Sequence, residues 1–308
     1  MASAIKTANV IVAVGSVDGM AGTAAYMRYA NNPHIQLIFT QAFQVHTIDV
    51  SKWPPNSKVG LIDLAVNNEG QSPNPQLTID FVNRVHKAGH EILFIADEHN
   101  KKAWNEVLER CNYEKEKLLI QPEDRTEKYS SSCAILSEAF GDSADAHTKA
   151  LLHAGDQADR MNFDTPFGTI FNTCTKSNMS DPNRRPYVVQ HMAFHETPDE
   201  KIQGWMNEYA EIKANQPNIL ASRKDLGNGM ALYDGAIGRH DATALFNEAY
   251  KANDIVVLTG TPVFLEGKMQ FDTDQQSVEL SKGKMLALHE RIPHTVLAID
   301  ETIFLLTL

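Results

Sequence analysis

Cysteine is scarce in this 308-residue chain. Cys111, Cys133 and Cys174 are an odd set of three, without the close spacing of a zinc site. That argues against a disulfide framework and leads to the expectation of a reducing, cytoplasmic setting. Excess positive charge is absent as well. Lys and Arg number 28 against 39 Asp and Glu, a formal net charge of −11. The chain as a whole is therefore no electrostatic trap for nucleic acid, although a local basic groove stays open. No apolar run reaches the ~18 residues that span a bilayer. The run Val10–Val14 is too short for a signal sequence, so no membrane partner is expected. There is no internal repeat and no low-complexity tract. What is there, 43% apolar and 22% charged residues, is ordinary for a globular protein long enough for two domains or one large one.

The first half alternates apolar runs with helical patterns. Strands are expected at Val10–Val14, Ile35–Phe39, Val59–Val66, Ile92–Ala96 and Leu118–Ile120. Helices are expected at Gly19–Asn31, Gln76–His86, Lys101–Cys111, Ser132–Phe140 and Ala146–Arg160. Continuous apolar strands between amphipathic helices predict an α/β fold, with a mainly parallel five-stranded sheet and helices on both faces. The second half differs: a polar connecting helix leads into a smaller α/β unit. The expected division is a domain over 1–190, a connecting helix or linker over 191–218 and a C-terminal domain over 219–308.

In parallel sheets, ligands bind beyond the carboxyl ends of the strands. Acids stand there in this chain. Asp18 follows the first strand in "VAVGSVDGMAG", where Asp also serves as a good helix cap. Asp63 ends the apolar run of "VGLIDLAVN", and "FIADEHN" delivers Asp97, Glu98, His99 and Asn100. In "LLHAGDQADRM", His153, Asp156 and Asp159 fall at i, i+3 steps and share a helix face. Asp63 is the demanding residue. A carboxylate at the end of a buried strand needs a partner, no Arg or Lys lies within two residues, and a cation is the economical choice.

These four stretches, in this order, resemble the motifs of the DHH phosphoesterase superfamily: RecJ-type exonucleases, nanoRNases, cyclic-dinucleotide phosphodiesterases, exopolyphosphatases and family II pyrophosphatases. The resemblance covers nearly the whole chain. It implies a DHH-like catalytic domain followed by a small DHHA1-like substrate domain. The family holds two divalent cations that share a bridging Asp. The resemblance gives that role to Asp63, makes Asp18, Glu98 and Asp156 ligands of one cation, and makes Asp97 and His99 the catalytic pair, with His99 on the phosphate. Mn²⁺ or Mg²⁺ is the implied cofactor. The departures are specific. The third motif reads Asp-Glu-His rather than Asp-His-His, and the ligands of the second cation fall at Val14 and Ser16. One well-formed site is therefore expected, unless His46 or His153 completes another.

Several residues are candidates for the substrate. Ser131 and Ser132 open a helix, where free N–H groups and hydroxyls can take a phosphate or simply cap the helix. Arg184 and Arg185 form a small basic spot, either solvated or set on a nucleotide phosphate. Arg239 and His240 stand at a helix entrance of the C-terminal domain. The reading is thus a phosphoesterase acting on short oligonucleotides, small nucleotides or another phosphorylated substrate, with a homodimer allowed for. The alternative is a DHH-like protein that binds a nucleotide or a protein partner without hydrolysis.

Overall fold

A computed structural model describes residues 7–68, 73–113, 130–176, 181–227, 230–234, 255–259, 268–273, 277–281, 284–288 and 294–298. The chain divides into two compact units. The first comprises Met1–Cys174 and Asp181–Gln203, the second Thr175–Ser180 and Gly204–Leu308.

The first unit is built on a parallel sheet of β1 (Val10–Val14), β2 (Gln36–Thr40), β3 (Lys58–Ile62) and β4 (Glu91–Ala96), in the order β2-β1-β3-β4. The α/β class and the parallel sheet agree with the sequence reading. The expected fifth strand, Leu118–Ile120, lies outside the described residues.

Side chains alternate across each strand, so each face of the sheet needs a cover. Val10, Val12, Val59, Leu61, Ile92 and Ile95 form one face. They pack with Phe81, Val82 and Val85 of α2 (Gln76–Lys87) and with Trp104, Val107 and Leu108 of α3 (Lys101–Arg110). The opposite face carries Ile11 and Phe94, with Gly60 between them. A Cβ on Gly60 would fall 2.4 Å from Phe94 and 2.6 Å from Ile11. Here α1 (Val17–Ala30) covers the sheet, its Tyr26 ring 5.2 Å from that of Phe94.

Helix α1 is buried almost all round. It packs on α4 (Ser132–Phe140), α5 (Ala146–Asp159), α6 (Pro166–Cys174) and α7 (Arg184–Phe194). Its small residues permit this: a Cβ on Gly22 would sit 3.1–3.4 Å from Ile62, Leu136 and Cys133. A polar helix was expected at the end of this region, and α8 (Glu200–Ala214) is that helix.

The second unit takes in α8 from Gly204 onward, followed by α9 (Gln216–Ala221), β5 (Lys224–Gly227), β6 (Met230–Asp234) and β7 (Ile255–Thr259). β8 (Lys268–Thr273), β9 (Ser277–Ser281), β10 (Lys284–Leu288) and β11 (His294–Ala298) follow. One sheet runs β10-β7-β6-β5, with β6 and β7 parallel and the other pairs antiparallel. A second, antiparallel sheet runs β11-β8-β9. Arg239 and His240, proposed from the sequence for the substrate, lie outside the described residues. Among the described residues, no helix is long and apolar enough to cross a membrane.

Candidate metal centre

The acids gather at the carboxyl ends of β1, β3 and β4. Each strand ends in a different way. After β1, Ser16 caps α1, its Oγ accepting from Gly19 N at 2.9 Å, and Asp18 sits in the first turn. After β4, Asp97, Glu98 and His99 form the turn into α3. β3 stops at Ile62, four residues short of the expected end at Val66. Asp63 follows with φ +55°, in the left-handed region, its N–H donating to Ala96 O at 2.8 Å. A non-glycine residue there costs about 1–2 kcal/mol, and Asp is among the residues that accept it. The kink turns the Asp63 carboxylate toward Ser16, whose hydroxyl donates to Asp63 Oδ2.

Asp18, Asp63, Asp97 and Glu98 are buried, none more than 5% exposed. Two overlapping groups of donor atoms result, each within 4.8 Å: Asp63, Asp97, Glu98 and His99, and Asp18, Glu98 and Asp159. Glu98 belongs to both.

Asp18 seats its carboxylate on the entrance of α4. Oδ2 accepts from Ser132 N at 2.8 Å and Oδ1 from Cys133 N at 3.1 Å. Those amides and the helix dipole favour the ionised form. Burial outweighs them, with repulsion from Glu98 next, and carries the Asp18 carboxyl up to about 8. Burial, and then the charges of Asp18 and Glu98, also raise Asp63 well above the usual carboxylate range, against the Ser16 hydrogen bond. Glu98 is raised by burial too, against the opposing charge of His99. Without a counter-ion, this cluster draws protons.

The sequence placed Ser131 and Ser132 on the substrate. Both are fully buried, and the structure turns them inward. The Ser132 hydroxyl donates to Glu98 Oε2 at 2.7 Å, while its amide holds Asp18. Ser131 Oγ caps α4 through Ala134 N and donates to Asp156 Oδ1 at 3.0 Å. The Ser132 and Cys133 amides at the helix entrance are thus taken by an acid of the chain, Asp18.

Asp156 and Asp159 part company. Asp156 Oδ1 also accepts from Ser130 Oγ at 2.7 Å, and its Oδ2 lies 3.5 Å from Arg160 Nε. Asp156 is in neither donor group, whereas Asp159, three residues on, joins Asp18 and Glu98. Close approach of α5 is what brings it there: a Cβ on Gly155 would fall 2.3 Å from Cys133 Sγ and 2.8 Å from Asp18 Oδ1. His46 and His153 are both exposed, and neither joins a donor group.

Asp97 and His99 do form a pair. His99 Nδ1 lies 2.8 Å from Asp97 Oδ1 and 3.3 Å from Glu98 Oε1. Trp104 Nε1 donates to Asp97 Oδ2 at 3.0 Å, a support that no sequence spacing signalled. The Asp97 hydrogen bond, aided by the charges of Glu98 and Asp97 and opposed by burial, lifts the imidazole to about 10. The side chain is nevertheless 44% exposed, so one edge of the ring faces outward.

The donor set can be tested against a divalent cation. It is rich in carboxylate oxygen, which suits Mg²⁺ or Mn²⁺. Glu98 Oε1 is buried without a hydrogen-bond partner, the kind of atom a metal satisfies. The residues fit such an ion. Glu98 is the residue common to both donor groups, with Asp63, Asp97 and His99 in one and Asp18 and Asp159 in the other.

No family model matches the chain, and no curated protein matches its sequence. Solved structures do show similarity. One is the pGpG-specific phosphodiesterase PggH from Vibrio cholerae, at 11% identity and a TM-score of 0.45, covering 83% of this chain and 78% of that one. Another is RecJ from Thermus thermophilus in complex with Mn²⁺, at 9% identity and a TM-score of 0.47. This chain is covered to 91% in that comparison and spans about half, 51%, of RecJ. A third is an uncharacterized protein from Helicobacter pylori, at 10% identity and a TM-score of 0.39, covering 83% of each chain.

Proposed function

We propose that the protein is a DHH-type phosphoesterase that depends on Mn²⁺ or Mg²⁺ and acts on short oligonucleotides or small phosphorylated nucleotides. The observation that carries the reading is the buried Glu98, its Oε1 without a hydrogen bond, standing in two donor groups at once. The four motifs in order name the reaction class. A bound cation supplies positive charge to the phosphate oxygens and lowers the pKa of water.

The chain's own residues do the rest. Glu98 would hold the ion, together with Asp63 of one donor group and Asp18 and Asp159 of the other. Ser16, Ser132 and the Ser132 and Cys133 amides fix those carboxylates, so they need no reorganisation when substrate arrives. Asp97, held by Trp104, orients His99 through Nδ1. Its Nε2–H is then the group presented to a phosphate oxygen or to the leaving oxygen as its proton donor.

Val14 and Ser16 offer no imidazole and no carboxylate, and Ser16 is committed to the helix cap and to Asp63. That favours slow or narrow turnover, and it is the ground for a second reading, a nucleotide binder without hydrolysis. Calorimetric titration with Mn²⁺, followed by hydrolysis of the dinucleotide pApA, separates the two. Binding of Mn²⁺ with cleavage that chelator abolishes supports the enzyme. Binding of Mn²⁺ and pApA without cleavage supports the binder. Absence of Mn²⁺ binding refutes the metal centre.

A further inference from the structure

The acids reach the site from the ends of β3 and β4 and from α1 and α5. The β1–α1 loop, Val14-Gly15-Ser16, contributes no charge of its own. What lies against it is an arginine. Arg185 stands in the first turn of α7, a helix packed on α1 and β2, and its Nε donates to Gly15 O at 3.1 Å. The guanidinium lies so close that a Cβ on Gly15 would fall 2.4 Å from Nε, 2.7 Å from Cδ and 3.1 Å from Cζ. Gly15 is not in the left-handed region, so its use here is space rather than backbone freedom.

The two adjacent arginines have different employment. Arg184 is buried, with Nη1 3.3 Å from Cys174 O and Nε 3.6 Å from Asp181 Oδ2, and it serves the fold. Arg185 goes to the loop whose next residue, Ser16, hydrogen-bonds Asp63. A substrate phosphate brings further negative charge to a site already rich in carboxylates. A cation held by those acids would meet some of its oxygens. The others need a positive partner on the side away from the acids. A guanidinium suits this need, because its planar fork matches two phosphate oxygens at once and it stays charged at all working pH values.

We propose that Arg185 is the phosphate-binding residue of this site, gripping the substrate from beside Gly15 of the β1–α1 loop. The inference rests on the phosphoesterase reading and adds a specific anion subsite to it. On this view, the protein works with one cation and one guanidinium on the same phosphate.

The test uses the full chain loaded with Mn²⁺. Calorimetry measures Mn²⁺ affinity first and the affinity for inorganic phosphate second, and pApA hydrolysis supplies KM and kcat. Three variants are compared with wild type: Arg185→Gln, Arg185→Lys and Gly15→Ala. The last keeps the arginine but displaces its guanidinium. Arg185→Gln is expected to bind Mn²⁺ as wild type does, with phosphate bound about tenfold more weakly and KM raised in proportion. Gly15→Ala should show the same pattern, and Arg185→Lys should recover part of the loss. Should Arg185→Gln fail to fold, Gly15→Ala decides alone. Phosphate affinity within about twofold of wild type in either variant, with Mn²⁺ still bound, overturns the inference and leaves the metal centre standing. Loss of Mn²⁺ affinity in the variants also overturns it, since the arginine would then serve the loop. A wild-type protein that binds no Mn²⁺ overturns the phosphoesterase reading and this one with it.

Discussion

Replacing Asp63 by Asn separates a metal ligand from a structural acid. The change is nearly isosteric, and Asn accepts the left-handed backbone at φ +55° as readily as Asp. Its Oδ1 can still accept from Ser16. What is lost is one buried negative charge. Donor atoms of Asp63 and Glu98 lie within 4.8 Å. At an effective dielectric of about 20, two unit charges at that distance repel by about 3 kcal/mol. Both carboxyls are raised, so they are protonated at low pH and the repulsion grows as pH climbs. A carboxyl raised in the folded state favours folding most at low pH, below its unfolded value of 3.8, and that contribution is lost as pH rises toward its folded value. The chelated wild type should therefore lose stability between about pH 4 and 8, a window set by Asp18 at 3.8 unfolded and about 8 folded.

In chelator, Asp63→Asn should match wild type at low pH and exceed it by about 1–3 kcal/mol at pH 8. For a unit of this size, each kcal/mol moves the melting temperature by about 2–4 °C. With Mn²⁺ the order reverses. Wild type gains about 2.7 kcal/mol at a hundredfold excess over Kd, and the variant gains little. Thermal melts at both pH values, with EDTA or Mn²⁺, read all of this. If the variant is less stable than wild type in EDTA at pH 8, Asp63 is a structural hydrogen-bonding residue. If its Mn²⁺ affinity is unchanged, the assignment of Asp63 to the metal is refuted.

Four further outcomes follow from the geometry. Asp159→Asn should weaken Mn²⁺ binding at least about tenfold, while Asp156→Asn should weaken it less, because Asp156 is held by Ser130, Ser131 and Arg160; the reverse order in calorimetry would restore Asp156 as the ligand. In chelator, the His99 imidazole should titrate near 10 by NMR, and Asp97→Asn should bring it back toward 6.5, since the Asp97 hydrogen bond is the largest cause of the rise; an unmoved resonance would detach the pair. Gly155→Ala should destabilise the fold by about 1–3 kcal/mol in a urea melt and weaken Mn²⁺ binding, because its Cβ would strike Cys133 Sγ and press on Asp18; an unaltered midpoint would show that α5 shifts freely. Ser132→Ala should cost about 1–2 kcal/mol in the Mn²⁺-loaded protein, through loss of the Glu98 hydrogen bond, and a neutral result would mean that the ion alone positions Glu98.

The parallel sheet and most of its helices were legible because their signals are local. Apolar runs of five residues and 3.6-residue periodicity survive without any knowledge of neighbours, and α4 carries the expected bounds, Ser132–Phe140. The acids Asp18, Asp63, Asp97 and Glu98 were legible for a related reason: in a parallel sheet, strand ends converge, so a charge just beyond an apolar run has one place to go. Where a strand stops is less local. β3 ends at Ile62 rather than Val66 because Asp63 turns left-handed and its N–H pairs with Ala96 of β4, a partner 33 residues away.

Only tertiary packing decided the rest. Asp156 and Asp159 share a helix face, and spacing cannot rank them. The rotation of α5 against Asp18 and Cys133, permitted by the missing side chain at Gly155, brings Asp159 to the acids and leaves Asp156 with the serines. Ser131 and Ser132 read as a phosphate seat because a helix entrance advertises free N–H groups whatever fills it. What fills it is Asp18, 114 residues earlier in the chain. Trp104 beneath Asp97 and Arg185 beside Gly15 left no mark on spacing for the same physical reason. A side-chain contact between distant segments depends on how whole helices dock, and docking is set by the packed core rather than by any short stretch of sequence.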